Sequence, residues 1–432
     1  MVAIQEVLTV FLGLTLLASV VSKKVKVPYP IILVLVGLAL AASPPFALSG
    51  VVDAFNGLIS SDLFVGLILP PLLFESIMSV RVEDFRAVYR PALLMATAGV
   101  LIATFVGGVV LWKVVGVAPL VAFLFAALIS PTDVATTIEV FARVNVPARL
   151  ATLVEMESVF NDASGIAIFT IVLASSSAAA LQPVGAVVSF GYVLGVGVLV
   201  GLGMAWIGRQ LQRLIEDSVT QIVLTLVAVY GAYEIAVLLG ASGLIAVAVT
   251  GLFYGNTILL RLESKKVAEA TREFWRVLAF IANAVAFFYI GVSTNIYLLA
   301  TGLGAVLVAF GIVVMARISS VYPILSLNKV GGSLIPATWM NTATLGGMRG
   351  ALAIALVSAI PADSRGPVAT LVFGVVVLSI LLQGPLLARY TRRAFGHQET
   401  LNVADEPEPK VVEDSTQPLS PSPEAQVDDA IR

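Results

Sequence analysis

Glu155–Met156–Glu157–Ser158–Val159–Phe160–Asn161–Asp162 sets three carboxylates, a hydroxyl and an amide inside a stretch, about 148–173, that is otherwise largely apolar. In a helix Ser158 and Asp162 are four apart and share a face, and Glu157 and Asn161, also four apart, flank it. The stretch begins at the basic Arg149, and Asp162 is thirteen residues further on, or ~20 Å at 1.5 Å per residue. If the helix crosses a bilayer, that is mid-membrane. An ionised side chain there costs about 2.5–3.5 kcal/mol on insertion scales, so such a stripe needs a function or partners. Its donors are hard oxygens, suited to alkali cations and protons rather than to soft metals.

The rest of the chain has the composition of a membrane protein. Of 432 residues 59% are hydrophobic and 12% charged, with a mean hydropathy of +1.00. Soluble proteins carry about a quarter charged residues. Successive apolar runs of roughly 17–25 residues suit helices crossing a ~30 Å hydrocarbon core. They do not suit a β-barrel, whose strands read as ~10-residue alternating segments. Thirteen spans are predicted, near 6–21, 29–42, 58–79, 91–112, 118–142, 148–173, 184–208, 219–239, 242–259, 275–293, 302–326, 334–359 and 367–388. Met1 to Gln5 lacks the basic region of a cleavable signal.

Lys and Arg fall in alternate loops. Lys23, Lys24 and Lys26, then Arg81, Arg86 and Arg90, Arg143 and Arg149, Arg209 and Arg213, Arg261 to Arg276, Lys329, and Arg389 to Arg393 make nineteen, against Lys113 and Arg365 in the opposite set. By the positive-inside rule the N-terminus is outside and the C-terminus cytoplasmic. From about Gly396 the chain turns polar, with nine acids against Lys410 and Arg432. The expected organisation is a membrane domain over 1–395 and a disordered acidic cytosolic tail over 396–432.

Few charges remain inside the spans: Glu75, Asp133, Glu155, Glu157, Asp162, Glu234, Arg317 and Arg349. Helix-holding ion pairs are the bland explanation, but six acids against two arginines leave carboxylates over. Two spans look interrupted. Ile129–Ser130–Pro131–Thr132–Asp133 puts proline among small polar residues, which removes a donor and frees carbonyls. Asn341–Thr342–Ala343–Thr344–Leu345–Gly346–Gly347–Met348–Arg349–Gly350 is equally poor as continuous helix. Irregular backbone at membrane depth is tolerated only against protein or a wet cavity. If spans 1–6 and 8–13 are inverted repeats, the breaks occupy the fifth position of each, the best sequence pointer to a transporter site. No cysteine is present, and the single histidine, His397, follows the last span, which excludes thiolate chemistry and makes a zinc enzyme untenable.

Four motifs resemble the monovalent cation:proton antiporter family of the prokaryotic NhaP exchangers and the animal sodium/proton exchangers. They are Leu69–Pro70–Pro71–Leu72–Leu73–Phe74–Glu75, Ser130–Pro131–Thr132–Asp133, the 155–162 stripe, and Gly346–Gly347–Met348–Arg349–Gly350–Ala351–Leu352, in family order on the matching spans. Met156, Ala163 and Val134 depart from the family's usual Gly, Gly and Pro. The resemblance implies an all-α polytopic membrane protein of thirteen transmembrane helices, built as two inverted repeats whose broken helices cross at the ion site. It also implies a six-helix transport bundle on a dimerisation domain, and a homodimer. Asp162 is then the ion- and proton-binding carboxylate, with Asp133, Ser158, Thr132 (through its carbonyl) and Glu157 as further Na⁺ ligands. Asn161, Arg349, Glu75 and Arg317 organise the site. The Asn161–Asp162 pair is typical of members that exchange one ion per proton without net charge movement.

The expected function is exchange of Na⁺ or Li⁺ for H⁺ at the plasma membrane, in the service of pH homeostasis, by competition for Asp162 and alternating access. No cofactor is expected beyond the transported ions, and no nucleic acid partner. A K⁺/H⁺ antiporter of the same fold is the alternative, followed by a cation channel. An intramembrane aspartyl protease, with Asp133 and Asp162 as its pair, is a third reading, but its Gly-x-Gly-Asp segment is missing. Arg349 is expected to pair with Glu157 or Glu75.

Overall fold

Backbone N–H and C=O groups in lipid must be satisfied internally, and apolar runs do so by closing into helices. The computed structural model is accordingly helical almost throughout. It describes residues 4–25, 27–42, 49–144, 146–174, 183–215, 217–259 and 265–396. The acidic tail expected over 396–432 lies outside the described residues from His397 on.

Eight described helices are long and apolar enough to cross a membrane: Gln5–Val25, Val82–Lys113, Ala148–Ala174, Val188–Gln212, Ser218–Leu238, Lys265–Ser293, Leu303–Ser326 and Asp363–Phe395. Shorter apolar helices at Tyr29–Ala42, Phe64–Ser79, Pro119–Ile129 and Gly243–Thr257 fall on four more of the expected spans. The segment expected near 334–359 is two half-helices, Ala337–Leu345 and Ala351–Val357, with a non-helical stretch between them. The span expected near 118–142 is likewise divided, into Pro119–Ile129 and Ala135–Phe141. Both predicted breaks are therefore real. Helix starts carry the expected local signals: Asp217 accepts from the Thr220 N–H at 2.8 Å to cap the helix that follows, and Pro119 opens another.

The helices sort into two bundles by which of them pack together. Val82–Lys113, Pro119–Phe141, Ala148–Ala174, Leu303–Ser326, the divided Ala337–Val357 segment and Asp363–Phe395 pack mainly on one another. The first three expected spans and those from Pro183 to Ser293 pack mainly on one another as well. The first group has the six members that the family resemblance implies for a transport bundle. Glu139 ends up near the basic-loop end of its half-helix, where Arg143 pairs with it at 2.7 Å.

Candidate functional site

The two divided spans cross at their breaks. The Asp133 N–H donates to the Met348 carbonyl at 2.8 Å, an isolated antiparallel bridge between two non-helical stretches. Glycine permits this approach: a Cβ on Gly350 would land on the Asp133 side chain, and one on Gly347 would sit 2.6 Å from the Arg317 Nε. Thr137 adds a bond from its hydroxyl to the Gly346 carbonyl at 2.9 Å.

Four half-helix ends meet here, and each brings backbone groups without intrahelical partners. The Asp133 carboxylate accepts from the Ala135 N–H at 2.8 Å, so an acid caps the positive end of Ala135–Phe141. Arg349 serves the negative end of the facing half-helix, its Nη1 donating to the carbonyls of Ser130 at 2.7 Å and Pro131 at 3.0 Å. Arg317 does the same for Ala337–Leu345, donating to the Ala343 carbonyl at 2.9 Å. The Ser130 and Pro131 carbonyls that the helix break leaves open are thus taken up by a guanidinium.

This arrangement corrects the expected partner of Arg349. Glu157 is held by Arg317, at 2.5 and 2.8 Å, with both side chains buried. Glu75 is half-buried on a cavity wall that Arg276 also lines. Two intramembrane arginines offer the same planar fork to a carboxylate, and only the crossing decides which reaches it. Glu157 consequently lies off the cavity with both oxygens bound, rather than among exposed ion ligands. Breaking a buried pair typically costs 3–5 kcal/mol, because the remaining charge is left unpaired. Arg317→Ala should therefore lose stability on that scale, read by thermal unfolding in detergent, and wild-type melting of this variant would contradict the assignment.

The polar stripe divides its labour. Asn161 donates to the Thr132 hydroxyl at 2.8 Å and accepts from the Thr132 N–H at 3.4 Å, so it fixes the broken backbone. Ser158 donates to the Thr132 carbonyl in a short bond. Asp162 makes no hydrogen bond among the described residues. Together Thr132, Asp133, Ser158 and Asp162 line a cavity of about 290 Å³. Asp162 is near the middle of the 27-residue helix Ala148–Ala174, as its distance from Arg149 predicted. Glu155 lines the same cavity; it is seven residues earlier, so the opening runs ~10 Å toward the Arg149 end. Thr132, Asp133, Ser158 and Asp162 thus put oxygen-bearing residues on the wall of a largely apolar cavity at bilayer depth, the donor set of a site for a small hard cation or a proton.

Sequence reasoning missed three contributors. Ser76 donates to Glu155, tying the third span to the sixth. Arg276, read as a loop cation, lines the cavity, as does Asn283, which donates to the Tyr29 hydroxyl at 2.7 Å. Polar residues inside the Lys265–Ser293 helix were the available signal. Glu234, by contrast, is exposed on Ser218–Leu238 and takes no part.

Residues 7–393 match the family model described as sodium/hydrogen exchanger, transmembrane. The chain is 31% identical over 396 residues to the Na⁺/H⁺ antiporter NhaG of Bacillus atrophaeus, covering 88% of this chain and 74% of that one. It is 34% identical over 365 residues to the Na⁺/H⁺ antiporter NhaP of Pseudomonas aeruginosa, covering 78% and 82%. Among solved structures, the sodium proton antiporter MjNhaP1 of Methanocaldococcus jannaschii at pH 8 superposes with a TM-score of 0.71 at 22% identity, over 91% of this chain and 99% of that one, which shows a shared fold.

Proposed function

We propose that this chain, which belongs to the transmembrane sodium/hydrogen exchanger family, exchanges Na⁺ for H⁺ at the crossing of its two broken helices, with Asp162 as the shared carboxylate. The family makes it a multi-pass membrane antiporter rather than an enzyme. The observation that carries the site is one cavity lined by Asp162, Asp133, Ser158 and Thr132.

The Asn161–Asp162 pair, typical of family members that move no net charge, supports a one-for-one exchange. Glu157 is taken up by Arg317 and Arg349 donates to the Ser130 and Pro131 carbonyls, so an ionised Asp162 on the cavity wall carries a charge that neither guanidinium meets. A single Na⁺ or a single proton neutralises it, and burying an uncompensated charge is costly. Only the loaded bundle then slides past its partner bundle, which couples the two ions. Asn161 and Arg349 support the reading from behind, holding the Thr132 segment in place without facing the ion.

The test is purified protein in liposomes with a pH-sensitive dye and gradients of Na⁺, Li⁺ and K⁺. Proton movement driven by Na⁺ and insensitive to a valinomycin–K⁺ voltage clamp is the expected result. Response to K⁺ instead of Na⁺ makes the protein the K⁺/H⁺ exchanger; strong voltage dependence refutes one-for-one exchange. Flux that does not couple to protons is the mark of a channel. The proposal includes thirteen crossings, a homodimer in the plasma membrane, an N-terminus outside and a cytoplasmic C-terminus. In it the acidic tail from Gly396 stands apart from the transport machinery. Truncation after Phe395 should then retain exchange in liposomes, and loss of all exchange would place the boundary elsewhere.

A further inference from the structure

The transport cycle just proposed requires the two bundles to move relative to each other, and three chain segments join them. One, 175–182, lies outside the described residues. A second follows Ser293, where Asn295 caps the short helix Ile296–Thr301 through its own neighbours, Tyr297 and Leu298. The third is the shortest: Phe64–Ser79 of one bundle reaches Val82–Lys113 of the other through Val80 and Arg81 alone. Both linker residues are extended, at φ −74°, ψ 129° and φ −77°, ψ 134°.

This linker is held from a third helix. Asn256 accepts from the Val82 N–H at 2.8 Å and donates to the Val80 carbonyl at 2.8 Å. Its amide therefore grips the chain on both sides of Arg81, and supplies the cap that Arg81 does not give to the following helix. A third bond, donated to the Leu252 carbonyl at 3.0 Å, fixes the side chain. Asn256 sits in a π-helical turn, Tyr254–Ile258, a distortion frequent at functional sites and one of several in this chain. Gly255 beside it lies so close to Met78 that a Cβ would collide with the Met78 carbonyl. Tyr254 is fully buried against Phe74, with ring centroids 5.9 Å apart.

We infer that Asn256 is a positioning residue for transport: it pins the Val80–Arg81 linker to the bundle that contains Asn256, and the transport bundle turns about that pin. Few side chains other than an amide can donate to one strand of a linker and accept from the other at once. Rotation at two extended residues changes the direction of everything that follows, as hinges do. With the pin in place, that rotation carries Asp162 across rather than being lost in slack. The pin touches none of the ion-lining residues, so it acts on the rate of the conformational step and leaves ion affinity alone. This inference rests on the exchange reading above.

Kinetics in liposomes and amide hydrogen exchange test it together. In Asn256→Ala the maximal exchange rate per folded protein should fall about tenfold, a conformational step being able to limit turnover. The apparent KM for Na⁺ and its pH dependence should match wild type. Asn256→Asp keeps an oxygen for the Val82 N–H and should recover part of the rate. Wild-type rates in Asn256→Ala, or a shift in KM as large as the loss of rate, overturn the inference. Amide exchange at residues 80–85 reads the pin whichever ion is carried. It should accelerate there and not along the rest of Val82–Lys113, and unchanged protection at 80–85 also overturns the inference. If wild-type liposomes show no Na⁺-driven proton movement, the exchange reading fails, and the amide measurement still decides whether the pin exists.

Discussion

Asp162→Asn should abolish sodium-driven proton movement while the protein stays folded and monodisperse. The substitution preserves shape and removes the charge whose neutralisation couples ion to proton. Asp162 makes no hydrogen bond among the described residues, so no native partner is stranded by the change. Contrast Asn161, whose amide holds Thr132 through two bonds, or Glu157, locked to Arg317; replacing either disturbs the backbone or leaves a buried charge. Removing the Asp162 charge also neutralises this position, as a bound proton would. The variant is thus a permanently protonated mimic that can neither release H⁺ nor admit Na⁺. Dye-monitored liposomes at matched protein content check it. Wild-type exchange in a monodisperse Asp162→Asn preparation eliminates this carboxylate as the shared site, whatever the fold.

Much of this site can be read from the chain because its residues are out of place in lipid. Pro131 amid Ser130 and Thr132, and the Gly346–Gly350 run, mark breaks because a continuous helix disfavours them. The 155–162 stripe stands out because polar side chains at bilayer depth need a reason. Helical spacing alone put Ser158 and Asp162 on one face, and both line the cavity. What sequence distance could not supply was the choice between equivalent partners. Arg317 and Arg349 are both intramembrane cations, and Glu157 lies 160 positions from the one that holds it. The bond from Arg349 to backbone carbonyls is invisible in sequence, since every residue has a carbonyl. Arg276 was assigned to a loop because it lies in a basic run, yet it is on the cavity wall. Asn256 gave no signal at all: one amide in a span is ordinary, and its meaning comes from the linker it meets.

Competition at a single carboxylate also fixes how transport depends on pH. In the proposed site Asp162 binds either a proton or Na⁺, so as pH falls below the midpoint of the carboxyl its protonated form excludes Na⁺. The apparent KM for Na⁺ should then rise about tenfold per pH unit, the slope set by binding one proton at the ion's own site. The maximal rate at saturating Na⁺ changes much less over that range, because enough Na⁺ displaces the proton. At high pH the proton-loaded return step becomes scarce, and at low pH Na⁺ is excluded. The rate at fixed Na⁺ is therefore bell-shaped, with limbs that report the loaded and unloaded states. Initial rates across a Na⁺ series at each of several pH values, equal on both sides of the liposome, supply the measurement. A KM that stays flat over two pH units assigns the ion and the proton to separate groups. A KM that rises while the saturating rate collapses in parallel indicates instead that protonation disables the bundle's movement, and that Asp162 is not where the two ions compete.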